Sequence, residues 1–366
     1  MAEILMNPVR RIIVLRFRRV GDAVLSTVVC SSLRRTFPDA TIDYVLNAEI
    51  APLFENHPDI DRIISFAKEE MTQWNTYLQK VHSVMNSGKY DLIVDTRTTM
   101  KTLWFSIFSL QTPYRIGWKK TYNLFLHNYR SVHDNRIDKV SHLLHLLHPL
   151  EKYFKVVYYP DFTLRVTPEE QAAFRAKMEN AGVDFSKPVI TCTVATRIPH
   201  KVWDGEKMRL ILERIIERYD AQLIFNFAGK AEEAVAVQLH NRMHNHPRVF
   251  TSVKADNLRE LAALLSLSGF FFGNEGGTRH ISQALGIPSF AIYPPSVSKR
   301  VWLPGANERY QGIEPADISE EEAKNPKLNF ATKFDLLTVD AVWEKLNPML
   351  AKFTFNRALS HTAINP

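Results

Sequence analysis

Residues 11–46 read RIIVLRFRRVGDAVLSTVVCSSLRRTFPDATIDYVL, and the alternation within this stretch indicates the fold class. Its first seven residues are a short run rich in β-branched side chains, which predicts a strand over 11–17. A helical pattern then continues to Phe37, Pro38 breaks it, and a second strand is predicted over 41–46. A strand, a helix and a strand in this order predict a βαβ unit with parallel strands.

The alternation extends through most of the chain and lapses once. In the first half the predicted elements are a strand at 60–66, a helix over 71–87, a strand at 91–95 and a helix over 138–153. Residues 111–136 are aromatic and basic without a clear period, so they predict loops and short elements. A second alternating series runs over 189–293. The prediction is an α/β protein of two doubly wound halves joined by a linker near 165–185.

Length and composition indicate the number of domains and exclude several classes of protein. At about 150 residues per domain, 366 residues predict two domains. The two cysteines, Cys30 and Cys192, are too few for a disulfide framework and indicate a reducing, cytoplasmic compartment. No apolar run approaches the ~18 residues that cross a bilayer, and the first residues do not resemble a signal peptide.

The net positive charge limits the classes of binding partner that suit this chain. Lys and Arg number 46 against 39 Asp and Glu, a formal net charge of +7. Nucleic acid, an anionic membrane surface and phosphorylated substrates all suit a basic chain. We find no basic stripe interleaved with aromatics and no nucleic-acid-binding signature, so nucleic acid is the least favoured partner.

In open α/β sheets, ligands bind where strands end and helices begin. The first such turn is Arg18-Arg19-Val20-Gly21-Asp22, directly after the first strand. Gly21 permits a tight bend. Asp22 has two interpretations at this stage: it caps the following helix, or it projects toward a ligand as a general base.

Two further turns belong to the second half. Gly276 and Gly277, followed by Thr278, would expose backbone N–H groups to a phosphate at a helix N-terminus, unless the turn is purely structural. It is neither a Walker loop nor G-x-G-x-x-G, which disfavours a nicotinamide dehydrogenase. Arg197 and Lys201 follow another strand and could neutralise a departing diphosphate, although a solvated basic loop is an equal alternative.

Three features that resemble metal or redox sites receive structural interpretations. Asp59 and Asp61 precede a strand and are expected to shape a turn. A spacing of three places His142, His145 and His148 progressively around a helix, which is not a two-ligand metal pattern. The two cysteines are expected to be small core residues. No metal site is predicted.

The turns together resemble glycosyltransferase family 9, the lipopolysaccharide heptosyltransferases. The similarity extends over about residues 10–300 and rests on the order and separation of these segments: 10–46, DLIVDTRTTMKTLW (91–104), YRIGW (114–118), 138–147, HKVW (200–203), FAGKAEE (227–233) and GNEGGTRHISQALGIPSFAIYPPS (273–296).

The resemblance implies a GT-B fold, two Rossmann-like domains facing across a cleft. Residues 1–170 would bind the acceptor, 171–350 the nucleotide sugar, and 351–366 would form a tail. The implied reaction is inverting and metal-independent: it moves a heptose from ADP-heptose to the lipid A–core glycolipid without a cofactor. Contact with the cytoplasmic face of the inner membrane is expected to be peripheral.

The resemblance also assigns roles to residues. Asp22 matches the base, and Lys201 matches the lysine near the donor phosphates. The expected donor-binding residues are Thr196, Arg197, Lys201, Glu232, Glu275, Gly276, Gly277, Thr278 and His280, with Glu233 as an alternative to Glu232. The acceptor-binding residues, Arg18, Arg19, Arg97 and Lys101, are expected from their charge and position, which suit anionic groups of an acceptor.

Two departures from the family pattern leave alternatives open. Arg18 and Arg19 stand where the family usually has small hydroxyl residues, and Glu275-Gly276-Gly277 replaces Asp-Thr-Gly. The chain could therefore use a different nucleotide sugar or acceptor. A third alternative is a non-catalytic sugar-nucleotide-binding protein of envelope assembly.

Overall fold

The computed structural model describes residues 8–134 and 136–354 and divides the chain into two compact units. The first unit ends at Arg165 and the second begins at Val166. The predicted linker near 165–185 is wrong over most of its length, because residues Pro168–Asn180 form a helix of the second unit. Thr167 and Glu170 form a capping box at its start, which stabilises the helix locally.

The first unit is a six-stranded parallel sheet with the strand order β3-β2-β1-β4-β5-β6. The strands are β1 (Arg11–Leu15), β2 (Thr41–Asn47), β3 (Arg62–Phe66), β4 (Leu92–Asp95), β5 (Tyr114–Trp118) and β6 (Tyr129–Ser131). The helices are α1 (Val20–Thr36), α2 (Lys68–Thr72), α3 (Trp74–Gly88), α4 (Leu103–Ile107) and α5 (Lys139–His145). Helices that cover parallel strands bury both faces of the sheet, which explains why the central strands are continuous apolar runs.

Residues 111–136 contain loops and short elements, as predicted. They supply β5 and β6, which extend the sheet at one side. All five residues of β5 are buried, including Arg115 and Gly117, which alternate with the apolar Tyr114, Ile116 and Trp118. The sequence did not locate these two short strands within the irregular stretch.

The second unit is also a six-stranded parallel sheet, with the order β12-β11-β10-β7-β8-β9. Its strands are β7 (Val189–Thr193), β8 (Gln222–Phe225), β9 (Val249–Phe250), β10 (Phe270–Asn274), β11 (Ser289–Ile292) and β12 (Tyr310–Ile313). Its helices are α6 (Pro168–Asn180), α7 (Gly205–Tyr219), α8 (Gly229–Arg242), α9 (Leu258–Ser266), α10 (Gly277–Ala284), α11 (Lys299–Trp302), α12 (Glu320–Lys324), α13 (Phe330–Asp335) and α14 (Val339–Phe353).

The two sheets share one topology. In each, the first strand of the unit lies between its second and fourth, so the chain's winding direction reverses beside that strand. The reversal falls between β1 and β4 in the first unit and between β7 and β10 in the second. Ligands of doubly wound sheets bind at this reversal, outside the carboxyl ends of the strands. The turns after β1, β4, β7 and β10 are therefore where a site is expected.

The C-terminal helix belongs to the core of the second unit. Val342, Leu346 and Leu350 of α14 are buried in the apolar cluster that also contains residues of α7. The predicted tail at 351–366 is thus helical as far as Phe353, and residues 355–366 lie outside the described part. Within 8–134 and 136–354, no helix combines the length and apolar character that a bilayer crossing needs.

Candidate active site

The turn after β1 brings Asp22 against a buried arginine. Helix α1 begins at Val20, so Asp22 is its third residue and not its N-cap. The cap position belongs to Arg19, whose side chain makes no capping hydrogen bond. The Asp22 carboxylate does not cap the helix. It forms an ion pair with Arg16, with 2.9 Å between Oδ1 of Asp22 and Nη2 of Arg16. One fifth of the Asp22 side chain remains exposed, so a ligand can reach it.

Arg16 is a member of the site that sequence analysis missed. Its side chain is nine-tenths buried, and its Nη1 donates to the Thr96 carbonyl at the end of β4. The guanidinium therefore joins the turns after β1 and β4 and fixes the direction of the Asp22 carboxylate. A charged residue ending an otherwise apolar strand was the signal in the sequence.

Three more arginines belong to the turns after β1 and β4, near this carboxylate. Arg97 donates to the Phe17 carbonyl at 2.7 Å, which places it beside the turn that follows β1. Burial, followed by the charges of Arg16 and Arg18, lowers the pKa of Arg97, and Arg19 acts in the same direction. The side chains of Arg18 and Arg19 are exposed. The cluster therefore carries far more positive than negative charge.

The backbone of this turn is unusual. Arg18 and Arg19 have φ values of 65° and 57°, in the left-handed region that few side chains other than glycine adopt. The Arg18 N–H donates to the Asn47 side chain, which helps to hold the conformation. Two consecutive residues in this region cost about 1–3 kcal/mol each, and such conformations concentrate at functional sites.

The structure does not bring Lys101 into this cluster. Its ammonium group donates to the Met71 carbonyl and lies 5.6 Å from the Tyr77 ring centre. Both partners belong to the α2–α3 region. An acceptor contact by Lys101 stays a prediction, and it would require the ammonium group to share or leave the Met71 carbonyl.

The glycine turn of the second unit presents free backbone donors. Gly276 precedes α10 with an extended φ of 174°, and no side chain caps the helix. Helices without caps leave their first N–H groups available, and the helix dipole makes them attractive to anions. A Cβ atom at Gly276 would meet no atom within 4 Å, so the space in front of these groups is open. The Thr278 hydroxyl lies 3.4 Å from the Asn226 side chain, a neighbour that sequence analysis missed.

His280 lies beneath this turn. Its side chain is 2% exposed, and its Nε2 is 3.9 Å from the Glu275 carboxylate. Burial, together with the adjacent Arg279, lowers the pKa of His280 well below its ordinary value, so the imidazole is neutral. Arg279 donates to His280 Nδ1, which leaves the proton on Nε2. His280 is thus placed to support Glu275 and offers little surface to a ligand.

The turn after β7 lies beside the glycine turn. Asn274, the last residue of β10, accepts from the Trp203 N–H at 2.9 Å and donates to the Thr193 carbonyl at 3.2 Å. Lys201 occupies the short 3-10 helix that precedes Trp203. No residue of the described part pairs with the Lys201 ammonium, and Arg197 is exposed. Thr196, also expected here, donates its hydroxyl hydrogen to the Ile198 carbonyl.

Glu232 and Glu233 both have structural partners. Glu232 accepts from the Ala228 N–H at 2.8 Å and thereby closes the N-terminus of α8. Glu233 pairs with Lys254. To bind a ribose, either carboxylate would have to share or leave its partner. The sequence alone does not show these partners.

Among the groups interpreted as structural, Asp59, His142 and both cysteines are buried, whereas Asp61 and His148 are exposed. Asp59 accepts from the Ser31 hydroxyl at 2.6 Å, and His142 stacks on Trp118 with ring centres 4.0 Å apart. Cys30 and Cys192 are buried free thiols, as predicted. Among residues 8–134 and 136–354, no three His, Cys, Asp or Glu side chains are grouped as metal ligands.

Comparison with known proteins identifies the family. Residues 79–327 match the sequence profile of Glycosyltransferase family 9 (heptosyltransferase), which is more than half of the chain. The chain belongs to this family. Lipopolysaccharide heptosyltransferase 3 of Escherichia coli is 23% identical over 303 residues, 80% of this chain and 85% of that protein.

Two solved structures share the fold of this glycosyltransferase. A family 9 glycosyltransferase of Veillonella parvula superimposes with a TM-score of 0.79 at 17% identity, covering 94% of this chain and 97% of that one. The ADP-heptose lipopolysaccharide heptosyltransferase II of E. coli gives a TM-score of 0.73 at 17% identity, covering 93% and 99%. The predicted GT-B fold with two Rossmann-like domains and the predicted enzyme class are confirmed: this is a glycosyltransferase of the heptosyltransferase type.

Gly276 allows a test of the glycine turn in this glycosyltransferase. A diphosphate site at the α10 amides predicts that replacing Gly276 with valine weakens ADP binding about tenfold, because the side chain would occupy the open space before these amides. The unfolding midpoint should change little, since the φ of this residue suits any side chain. Calorimetric titration with ADP measures the affinity. Unaltered binding would show that the diphosphate does not use these amides.

Proposed function

We propose that this glycosyltransferase transfers a heptose from ADP-heptose to a lipopolysaccharide-core acceptor, with inversion and without a metal ion or cofactor. The observation that carries the proposal is the Asp22 carboxylate, oriented by Arg16 and partly exposed at the strand-order reversal of the first sheet. Membership of family 9 and the fold shared with the ADP-heptose lipopolysaccharide heptosyltransferase II of E. coli support the choice of donor.

In the proposed mechanism Asp22 activates the acceptor. Its carboxylate takes the proton of the attacking hydroxyl, and the hydroxyl oxygen forms a bond to the anomeric carbon of the donor sugar. The bond from that carbon to the diphosphate oxygen breaks, and ADP leaves with the bonding electron pair. One displacement inverts the anomeric configuration. Arg16 acts by holding the carboxylate in one orientation.

The second unit would stabilise the leaving group. The uncapped N–H groups of α10 and the Lys201 ammonium, which lacks a protein partner among the described residues, are suited to the negative charge of a diphosphate. Thr278 adds a hydroxyl at the same helix end. These groups provide positive charge and hydrogen bonds without a bound cation, which supports a metal-independent reaction.

The arginines around Asp22 would position the acceptor. Arg18 and Arg19 are exposed and Arg97 is half-buried, and all three lie where a strongly basic cluster surrounds one carboxylate. Phosphate and carboxylate groups of a core oligosaccharide match this charge. Such contacts would set the acceptor hydroxyl against Asp22.

A different nucleotide sugar is the second candidate donor. Glu275 favours it, because its longer carboxylate replaces a family aspartate beside the glycine turn and is only 12% exposed. The test incubates the purified protein with ADP-heptose and other nucleotide sugars together with truncated core glycolipids, and reads the product masses. Transfer only from another donor would contradict the heptose assignment. ADP binding without transfer to any acceptor would contradict the catalytic assignment.

Replacing Lys201 with alanine is expected to weaken ADP binding about tenfold, because a charge-assisted contact to the diphosphate is lost. Calorimetric titration with ADP provides the measurement. Lys327→Ala, which removes an exposed lysine of the same unit, is the matched control and should leave the affinity unchanged. Equal affinities for the two variants would remove Lys201 from the donor site.

A further inference from the structure

The connection between β5 and β6 exposes an unusual amount of apolar surface. Phe125 is 83% exposed, Leu124 53% and Tyr122 48%. Large apolar side chains exposed next to one another commonly mark an interaction site, whereas single ones are normal. We call residues 119–125 the apolar loop.

The apolar loop is held in place by a buried asparagine. Asn123 donates to the Trp118 carbonyl at 2.8 Å and accepts from the Lys120 N–H at 3.0 Å. Its side chain also hydrogen-bonds the buried His127 ring at 2.8 Å. Because Asn123 faces inward, the neighbouring Leu124 and Phe125 face solvent. The fold thus presents these two side chains outward and does not merely leave them in an unstructured segment.

Positive charge borders the apolar side chains. Lys119 is exposed, and Lys120 is the next residue. Neither ammonium pairs with an acidic group of residues 8–134 or 136–354. Burial, followed by the charges of Lys120 and Lys139, lowers the pKa of the nearby His133.

The apolar loop adjoins the proposed acceptor site. The Tyr122 hydroxyl donates to the Thr98 carbonyl at 3.1 Å, and the Trp118 N–H donates to the Thr98 hydroxyl at 2.8 Å. Thr98 follows Arg97 of the arginine cluster. Met100, in the same turn after β4, is 63% exposed. The apolar surface and the acceptor-side arginines are therefore parts of neighbouring turns of one sheet.

We propose that the apolar loop docks onto the surface of an anionic phospholipid membrane. Leu124 and Phe125 insert at the boundary between head groups and acyl chains, Tyr122 lies at the head-group level, and Lys119 and Lys120 pair with lipid phosphates. The proposal deepens the proposed function, since a membrane-embedded glycolipid would then be held beside Arg97. A protein partner is less well matched, because lysine is depleted at protein interfaces.

The test measures binding to vesicles without donor or acceptor, so its result does not depend on the proposed reaction. The intact protein is sedimented with vesicles of equal parts phosphatidylglycerol and phosphatidylethanolamine. The double variant Leu124→Ser, Phe125→Ser is expected to lose about tenfold or more in partitioning. The control variant Val235→Ser, Val237→Ser removes two residues of α8 that are each 40% exposed, and it should bind like the unaltered protein. Vesicles of phosphatidylcholine alone should bind more weakly.

Several results would overturn the proposal. One is failure of the unaltered protein to bind the anionic vesicles, and another is equal binding by the double variant. A third is sedimentation velocity showing a dimer that the double variant converts to a monomer, which would assign the loop to contacts between copies. With a deacylated, water-soluble acceptor, the double variant should keep its transfer rate. Loss of that rate would show that the loop serves the site directly and not the membrane.

Discussion

Replacing Asp22 with asparagine is expected to lower the kcat for glycosyl transfer by about 10²–10⁴-fold, the usual contribution of a general base. Asparagine has the shape of aspartate but cannot accept the hydroxyl proton. ADP affinity should be unchanged, because the proposed donor residues belong to the second unit. Single-turnover kinetics and calorimetric titration with ADP separate the two quantities.

The same substitution leaves Arg16 without its anionic partner. A buried guanidinium that loses such a partner is expected to destabilise the fold by about 1–3 kcal/mol, so a thermal melt must show that the variant is folded at the assay temperature. Asp39→Asn is the control: it removes an exposed carboxylate just beyond the other end of α1 and should retain full activity. Full turnover by the Asp22 variant would refute the proposed base.

Replacing Gly273 with alanine is expected to destabilise the protein by about 2–5 kcal/mol. Gly273 has a φ of 150°, which side chains rarely adopt, and it pairs with Thr193 where β10 meets β7. A Cβ atom would lie 2.3 Å from the Thr193 carbonyl oxygen and 2.7 Å from its nitrogen. The backbone of the two strands would have to separate at the strand-order reversal.

Urea unfolding measures this effect, and the neighbouring glycine supplies its control. Gly276→Ala adds the same methyl group where no atom lies within 4 Å, so its free energy of unfolding should change little. If both variants unfolded at the same urea concentration, the close approach of β7 and β10 would not be a constraint on residue 273.

Much of the fold followed from local patterns. The apolar runs and the helical pattern of residues 11–46 correspond to β1, α1 and β2. Residues 111–136, predicted as loops and short elements, contain the short strands β5 and β6, which the sequence did not locate. The prediction of a linker near 165–185 was wrong over most of its length, because Pro168–Asn180 form a helix. A helix signal does not show which unit the helix packs against.

Some features of the candidate site also follow from the sequence, and others do not. The position of Asp22 after a strand and before a helix follows from the sequence, as does the glycine turn that begins α10. The sequence does not show that the Lys101 ammonium donates to the Met71 carbonyl or that the Glu232 carboxylate accepts from the Ala228 N–H. Long side chains can reach several neighbours, and their choice depends on atoms that the sequence alone does not locate.

By itself the sequence determined the strand-helix alternation, the turns that end each strand and the family, because these depend on neighbouring residues and their order. Only the tertiary structure decided that Arg16 holds Asp22 and that Asn274 joins Trp203 to the end of β10, across 71 positions of the chain. It also decided that Phe125 faces solvent while Asn123 is buried. Such pairings arise when separate strands are brought side by side, and no local period encodes which side chains will then meet.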